Sequence, residues 1–230
     1  MKKLISEFEK LFTERIEHFE NFNSFGEDGI RYDFFNAVMN TYNIKPYQLQ
    51  LEYPIPNTQF ENKVNKETTG RGRHEFKPEV DLLIKPYENL QDGMIVEFAY
   101  FRKPEKAQNQ DKTGKHGKIL NEIFRLALMK NFEEFKDYKC YLICVTDDEM
   151  INYAKEGTRG ATPIGIQDEY ILSNDFLMKF KKTAYDKIDE KFKNQIVKLE
   201  ITPTAKRIFN IVSTKKLNWG IWIWEVSFIN

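Results

Sequence analysis

The sequence predicts an α/β fold: a mixed central sheet flanked by helices, with a β-rich C-terminal extension. Three observations point there. Apolar residues recur at helical spacing near the start and again around residue 120. Short strand-like runs lie between those helices, and Tyr138–Val145 is nearly continuous in apolar residues, as a strand buried on both faces should be. Towards the end the hydrophobic period changes to two.

Leu4, Ile5, Phe8, Leu11, Phe12, Ile16 and Phe19 mark an amphipathic helix over 3–21, broken by Asn23-Ser24-Phe25-Gly26. A second helix carries Ile30, Phe34, Phe35, Val38 and Met39 on one face. Leu49–Tyr53 alternates and then meets Pro54 and Pro56, which reads as a strand running into a loop. Residues 57–75 are polar and contain glycine, a loop or a long hairpin. Strands follow at 79–85 and 93–101, then a helix over 117–131 built on Ile119, Leu120, Ile123, Phe124, Leu126 and Ala127. A short helix opens at Asp147, 157–165 is a loop, and 175–193 reads as a Lys-rich helix. Strands at 196–202, 205–213 and 220–228 complete the chain. The organisation is an N-terminal helix (1–23), a core (24–156) and the helical and β-rich extension (157–230).

Composition narrows the class. A chain of 230 residues with 41% hydrophobic and 14% aromatic content can bury a sizeable core. Formal net charge is zero, so no global charge signature of a nucleic-acid binder exists. The charge is uneven, however. Residues 1–60 hold nine acids against six Lys and Arg, whereas residues 102–118 hold six bases against Glu105 and Asp111. Cys140 and Cys144 lie on the same side of one strand and cannot pair, which suits a reduced compartment. The charged start and the lack of any membrane-length apolar stretch predict a soluble, cytoplasmic protein with no membrane partner.

The chemistry concentrates between residues 79 and 99. Glu79-Val80-Asp81-Leu82-Leu83-Ile84 and Met94-Ile95-Val96-Glu97-Phe98-Ala99 are strands carrying acids where apolar side chains belong. Alternation puts Glu79 with Asp81 on one face, and Glu97 with position 99 on one face of theirs. Val80 and Leu82, like Val96 and Phe98, then point the other way. Carboxylates aimed at one point repel unless a cation sits between them. Mg²⁺, with Mn²⁺ as the alternative, accepts one or two carboxylates plus waters and phosphate oxygens. Solvated edge-strand acids are the plainer explanation.

These motifs resemble the PD-(D/E)xK nuclease superfamily, the restriction-endonuclease-like fold. The family carries an acid at the end of one strand and an acid-x-lysine triplet on the next. Asp81 fills the first place and Glu97-Phe98-Ala99 the second, with the helix at Gly117–Leu126 and the strand at Tyr141–Val145 following in order. The resemblance covers roughly residues 24–150 and rests on order and spacing. It implies a metal-dependent endonuclease acting on DNA in restriction or other bacterial defence. Asp81 and Glu97 would bind Mg²⁺, with Glu27 or Glu79 assisting, and the enzyme would form a homodimer. Glu27 matches the family's glutamate on its first core helix, and equally matches a capping box with Ser24.

Position 99 departs from the pattern: it is alanine where the family has lysine. Alanine can neither hold the attacking water nor stabilise developing negative charge. Three explanations compete. The lysine has been replaced by an introduced change, or it has migrated to Lys103, Lys115 or Lys118, or the chain is a natural pseudonuclease that only binds. The first is favoured, because Asp81 and Glu97 both remain.

The remaining signals concern binding. Arg102, Lys103, Lys106, Lys112, Lys115 and Lys118 form a basic segment beside the acids, placed to meet a phosphate backbone. Arg71 and Arg73 lie in a Gly-Arg-Gly-Arg arm that could enter a groove, and Arg125 could reach a phosphate or pair with a core acid. Lys179, Lys181, Lys182, Lys187, Lys191 and Lys193 read as the wet face of a helix. His18, His74 and His116 are too scattered for a zinc site, and no phosphate-binding glycine loop suggests a nucleotide cofactor. Trp219, Trp222 and Trp224 are assigned to a β core or subunit interface rather than to base stacking.

Overall fold

The computed structural model describes residues 1–19, 26–55, 79–103, 111–156, 165–180, 182–213 and 217–230. Helices α1 (Lys2–Glu17) and α2 (Glu27–Tyr42) precede strands β1 (Leu49–Pro54), β2 (Glu79–Ile84) and β3 (Met94–Phe101). Helix α3 (Lys112–Lys130) crosses to β4 (Lys139–Asp147), which runs straight into α4 (Asp148–Glu156). A short β5 (Glu169–Ile171), three helices α5 (Asn174–Leu177), α6 (Lys182–Tyr185) and α7 (Glu190–Leu199), and the long strands β6 (Thr202–Ser213) and β7 (Trp219–Ile229) follow. One seven-stranded sheet results, ordered β1-β2-β3-β4-β7-β6-β5. Within it β3 and β4 pair parallel while every other neighbour pairs antiparallel.

The sheet sorts its side chains between two apolar layers. On β4, Cys140, Leu142 and Cys144 join the layer under α3, while Tyr141, Ile143 and Val145 join the layer under α1 and α2. On β7, Trp222 and Trp224 face the first layer and Trp219, Ile221 and Ile223 the second. This is period-two alternation with both faces covered, which is why the central strands read as apolar throughout. The tryptophans are core residues. Trp219 meets the Phe12 ring at 5.1 Å, and Trp224 donates its indole N–H to the Gln167 carbonyl at 3.1 Å.

The long helix α3 begins five residues before its expected start at 117. Asp111 caps it by accepting the Gly114 N–H at 2.8 Å. Gly114 and Gly117, which weaken the sequence signal, are there for space. A Cβ at Gly117 would lie 2.5 Å from the Ala184 carbonyl oxygen of α6.

Several expectations need correction. Within the extension expected over 157–230, Trp219–Val226 of β7 pair with Cys140–Asp147 of β4, so the core sheet continues into it. The single helix expected over 175–193 is three short helices. The strand expected at 196–202 is mostly the end of α7, which has a strong apolar face at helical spacing. Lys193 is not on a wet face: it is buried, pairs with Glu190 and stacks 4.2 Å above the Tyr185 ring. Val80 and Leu82 do not share a face, because they pack in opposite apolar layers. Arg71, Arg73, Lys106, Lys181 and His74 lie outside the described residues.

Candidate active site

The irregularity in β2 is what builds the site. The β2–β3 ladder pairs Ile84 with Met94, Leu83 with Ile95 and Leu82 with Val96, then stops. On the other side the β1 register skips Glu52, whose φ is 48°, the left-handed region that disfavours a non-glycine residue. Asp81 therefore sits where pairing to β3 has ended and pairing to β1 is interrupted for one residue. Its Oδ2 accepts the Phe98 N–H at 2.7 Å, replacing a ladder partner with a side-chain acceptor. Its Oδ1 accepts from Nη2 of Arg31 at 2.7 Å.

The same Arg31 nitrogen donates to Oε1 of Glu27 at 2.8 Å, one helical turn away. Glu27 is the first residue of α2 and Gly26 is the N-cap, so Glu27 is not the far partner of a Ser24 capping box. Its second oxygen lies 3.9 Å from Nζ of Lys118 on α3. One acid thus touches cations from both flanking helices.

Glu97 falls between Ile95 and Ala99 on the α3 side of β3 and is 2% exposed. Nη1 of Arg125 donates to its Oε1 at 2.9 Å and lies 3.1 Å from Oε2 of Glu122. That Glu122 oxygen is buried and, despite the charge contact, has no hydrogen-bonding partner. Burial pushes the Glu97 pKa well above the usual carboxylate range, and the charges of Glu122 and Asp81 push it further. Glu122 is raised as well, chiefly by burial, with Arg125 and Lys118 opposing. The mutual influence of Asp81, Glu97 and Glu122 puts all three acids in one electrostatic neighbourhood.

The cluster holds four carboxylates (Glu27, Asp81, Glu97, Glu122) against three cations (Arg31, Arg125, Lys118). Carboxylates outnumber cations, and the two most buried of them, Glu97 and Glu122, have raised pKa values. Among the described residues, no group of three or more His, Cys, Asp or Glu side chains stands in position to hold a metal ion. Asp81 and Glu97 alone supply the one or two carboxylates that Mg²⁺ takes when waters and phosphate oxygens complete its shell. The Glu122 oxygen that accepts no hydrogen bond, and the Glu97 and Glu122 values raised chiefly by burial, mark the acids whose charge a bound cation would relieve.

The expected residues divide into those the fold gathers and those it does not. Asp81, Glu97, Glu27, Lys118 and Arg125 come together. Glu79 is exposed and offers only its carbonyl, to Arg125 at 3.2 Å. Ala99 is 1% exposed within the apolar layer under α3 and pairs in register with Cys144. The basic segment gathers elsewhere, around the end of β4. Lys103 pairs with Glu149 at 2.9 Å and donates its N–H to Asp147, Lys112 lies 3.8 Å from Glu149, and Lys115 donates to the Arg102 carbonyl. Arg102 stacks over Tyr100. Arg31 and Glu122 were not anticipated. The signals were present as Glu27-x-x-x-Arg31 and Glu122-x-x-Arg125, pairs one helical turn apart.

Fold and cluster together define an α/β protein with a partly buried carboxylate–guanidinium site where its sheet opens. No family model matches this chain, and no curated protein or solved structure matches it either. Among the described residues no helix is long and apolar enough to cross a membrane.

Proposed function

We propose that this chain is a metal-dependent endonuclease that hydrolyses DNA phosphodiester bonds, of the restriction-endonuclease-like kind, working in cytoplasmic defence against foreign DNA. The observation that carries the reading is the gathering of four carboxylates at the point where β2 and β3 part. Two further features support it. The elements α2-β1-β2-β3-α3-β4 run in the order the motifs require, and Asp81 lies near enough to Glu97 to raise its pKa.

Each residue then has a task. Asp81, fixed by the Phe98 N–H and Arg31, and Glu97, fixed by Arg125, would hold the cation in preset orientations. A bound Mg²⁺ supplies a water of lowered pKa and neutralises charge on the phosphodiester. Lys118 is the migrated lysine, because of the three candidates it alone touches the acid cluster. Its ammonium stabilises negative charge developing on the phosphate. Lys103, Lys112, Lys115 and Arg102 would meet the flanking phosphates.

Plasmid cleavage by the full chain with Mg²⁺ or Mn²⁺ tests this. Wild type should cut, Asp81→Asn should not, and Lys118→Ala should lose about a hundredfold or more. If only Ala99→Lys cuts, position 99 is the vacated lysine site instead. Failure of both wild type and Ala99→Lys to cut any DNA removes the enzymatic reading. The alternative, a pseudonuclease that binds nucleic acid without cutting, is favoured by one feature: Arg31 and Arg125 already neutralise part of the acid charge. It predicts salt-dependent DNA binding and no cleavage.

A further inference from the structure

The outer edge of β6 is only partly covered. β5 pairs with it over Thr204–Lys206, and the Asp168 carbonyl accepts the Arg207 N–H at 2.7 Å, where that coverage ends. Among the described residues no strand lies beyond Ile208–Val212, although this stretch is held firmly to β7 on its inner edge. Such an edge offers unpaired backbone donors and acceptors in extended geometry.

Natural edges are blunted by charge, proline or a bulge, and Ile208-Phe209-Asn210-Ile211-Val212 has only the bulge at its start. Ile208 and Val212 are 36% and 42% exposed, and Phe209 and Ile211 are only partly buried. A β-bulge at Arg207–Phe209 sets the start of the segment.

We infer that the β6 edge pairs antiparallel with the β6 edge of a second copy, centred on Asn210, joining two sheets into one. The sequence is self-complementary in that register. Ile208 faces the second copy's Val212, Phe209 faces its Ile211, and Asn210 faces its own counterpart. Every apolar side chain meets an apolar one, and no like charges oppose. A two-fold axis needs this property, since one patch must serve as both halves of the contact. Shifting the centre by one residue to Ile211 would set Asn210 against Val212 and lose it. A groove of about 710 Å³ lies at the end of the segment, between Gln167, Asp168 and Glu169 on one side and Arg207, Ile208 and Asn210 on the other. The inference is independent of the chemistry proposed at Asp81 and Glu97.

Sedimentation of the full chain over a range of concentrations, with a disulfide test of register, decides the matter. Wild type should sediment as a dimer that dissociates on dilution. Ile208→Lys, at a surface position, should keep the native circular dichroism and weaken association about tenfold or more. Asn210→Cys should form covalent dimers on mild oxidation, because opposed residues of paired strands lie within disulfide reach. Cys140 and Cys144 are buried and do not compete. Met178→Cys, at an 83% exposed position away from the edge, should form no covalent dimer under the same oxidation. A wild type that is monomeric throughout overturns the inference. So does a dimer that ignores Ile208→Lys and leaves Asn210→Cys no more cross-linked than Met178→Cys.

Discussion

Arg125→Met lowers the free energy of unfolding by about 3–5 kcal/mol at neutral pH, the largest single-residue effect expected here. The reason is what the substitution strands. Nη1 of Arg125 serves Glu97 at 2.9 Å and Glu122 at 3.1 Å, and both carboxylates are buried. Methionine fills the stem's volume but leaves both acids without their main counter-charge. Burial alone would lower the pKa of Arg125, but Glu97 and Glu122 outweigh it, so the guanidinium stays charged.

The loss should depend on pH with a definite sign. Glu97 and Glu122 already have raised folded-state values, so they contribute stability that is present at low pH and fades as pH rises through those values. Removing Arg125 raises them further. The penalty should therefore shrink in acid, where both can take a proton. Urea unfolding of Arg125→Met at several pH values measures it. The triple variant with Glu97→Gln and Glu122→Gln should recover most of the loss, and a penalty below about 1 kcal/mol would mean the pair is solvated.

Acid destabilises this fold through His116, the second large effect. The ring is fully buried on α3, with Nδ1 3.4 Å from the Tyr153 hydroxyl and Nε2 3.1 Å from the Tyr170 hydroxyl. The Tyr170 oxygen already accepts the Gln167 N–H at 3.1 Å, leaving its own proton free to be donated to Nε2. A neutral imidazole satisfies this arrangement, and an imidazolium would have to turn the Tyr170 hydroxyl proton away and share its oxygen with the Gln167 N–H. Burial pushes the pKa down to about 4.

The folded state thus refuses a proton that the unfolded chain takes near 6.5. This contribution is whole above 6.5 and is lost as pH falls towards 4, by about 3 kcal/mol in all. His116→Phe keeps the contacts with the Phe180 ring and removes the titration. Thermal unfolding of the two proteins between pH 7 and 4 should show wild type falling more steeply. Parallel curves would mean that His116 titrates normally.

Legibility followed periodicity. β4 and β7 were readable because both faces are covered and the pattern has no gap. The end of α7 was read as strand because Ile196 and Val197 are β-branched, and propensity gave way to packing on α3. The acids Asp81 and Glu97 stood out because strands rarely spend interior positions on carboxylates. Their environment was not legible. Arg31 and Glu122 come from helices brought in by the fold, and the skip at Glu52 that frees Asp81 is a backbone event with no sequence mark. The basic segment shows the opposite failure: its charge was plain, and its acid partner Glu149 lay well along the chain.

Calorimetric titration of Mn²⁺ into the full chain tests most directly whether the acid cluster is a divalent-cation site. One ion should bind per chain at neutral pH, and Asp81→Asn should abolish binding while the unfolding transition stays cooperative. No heat of binding at millimolar Mn²⁺, or binding that Asp81→Asn leaves unchanged, would contradict it.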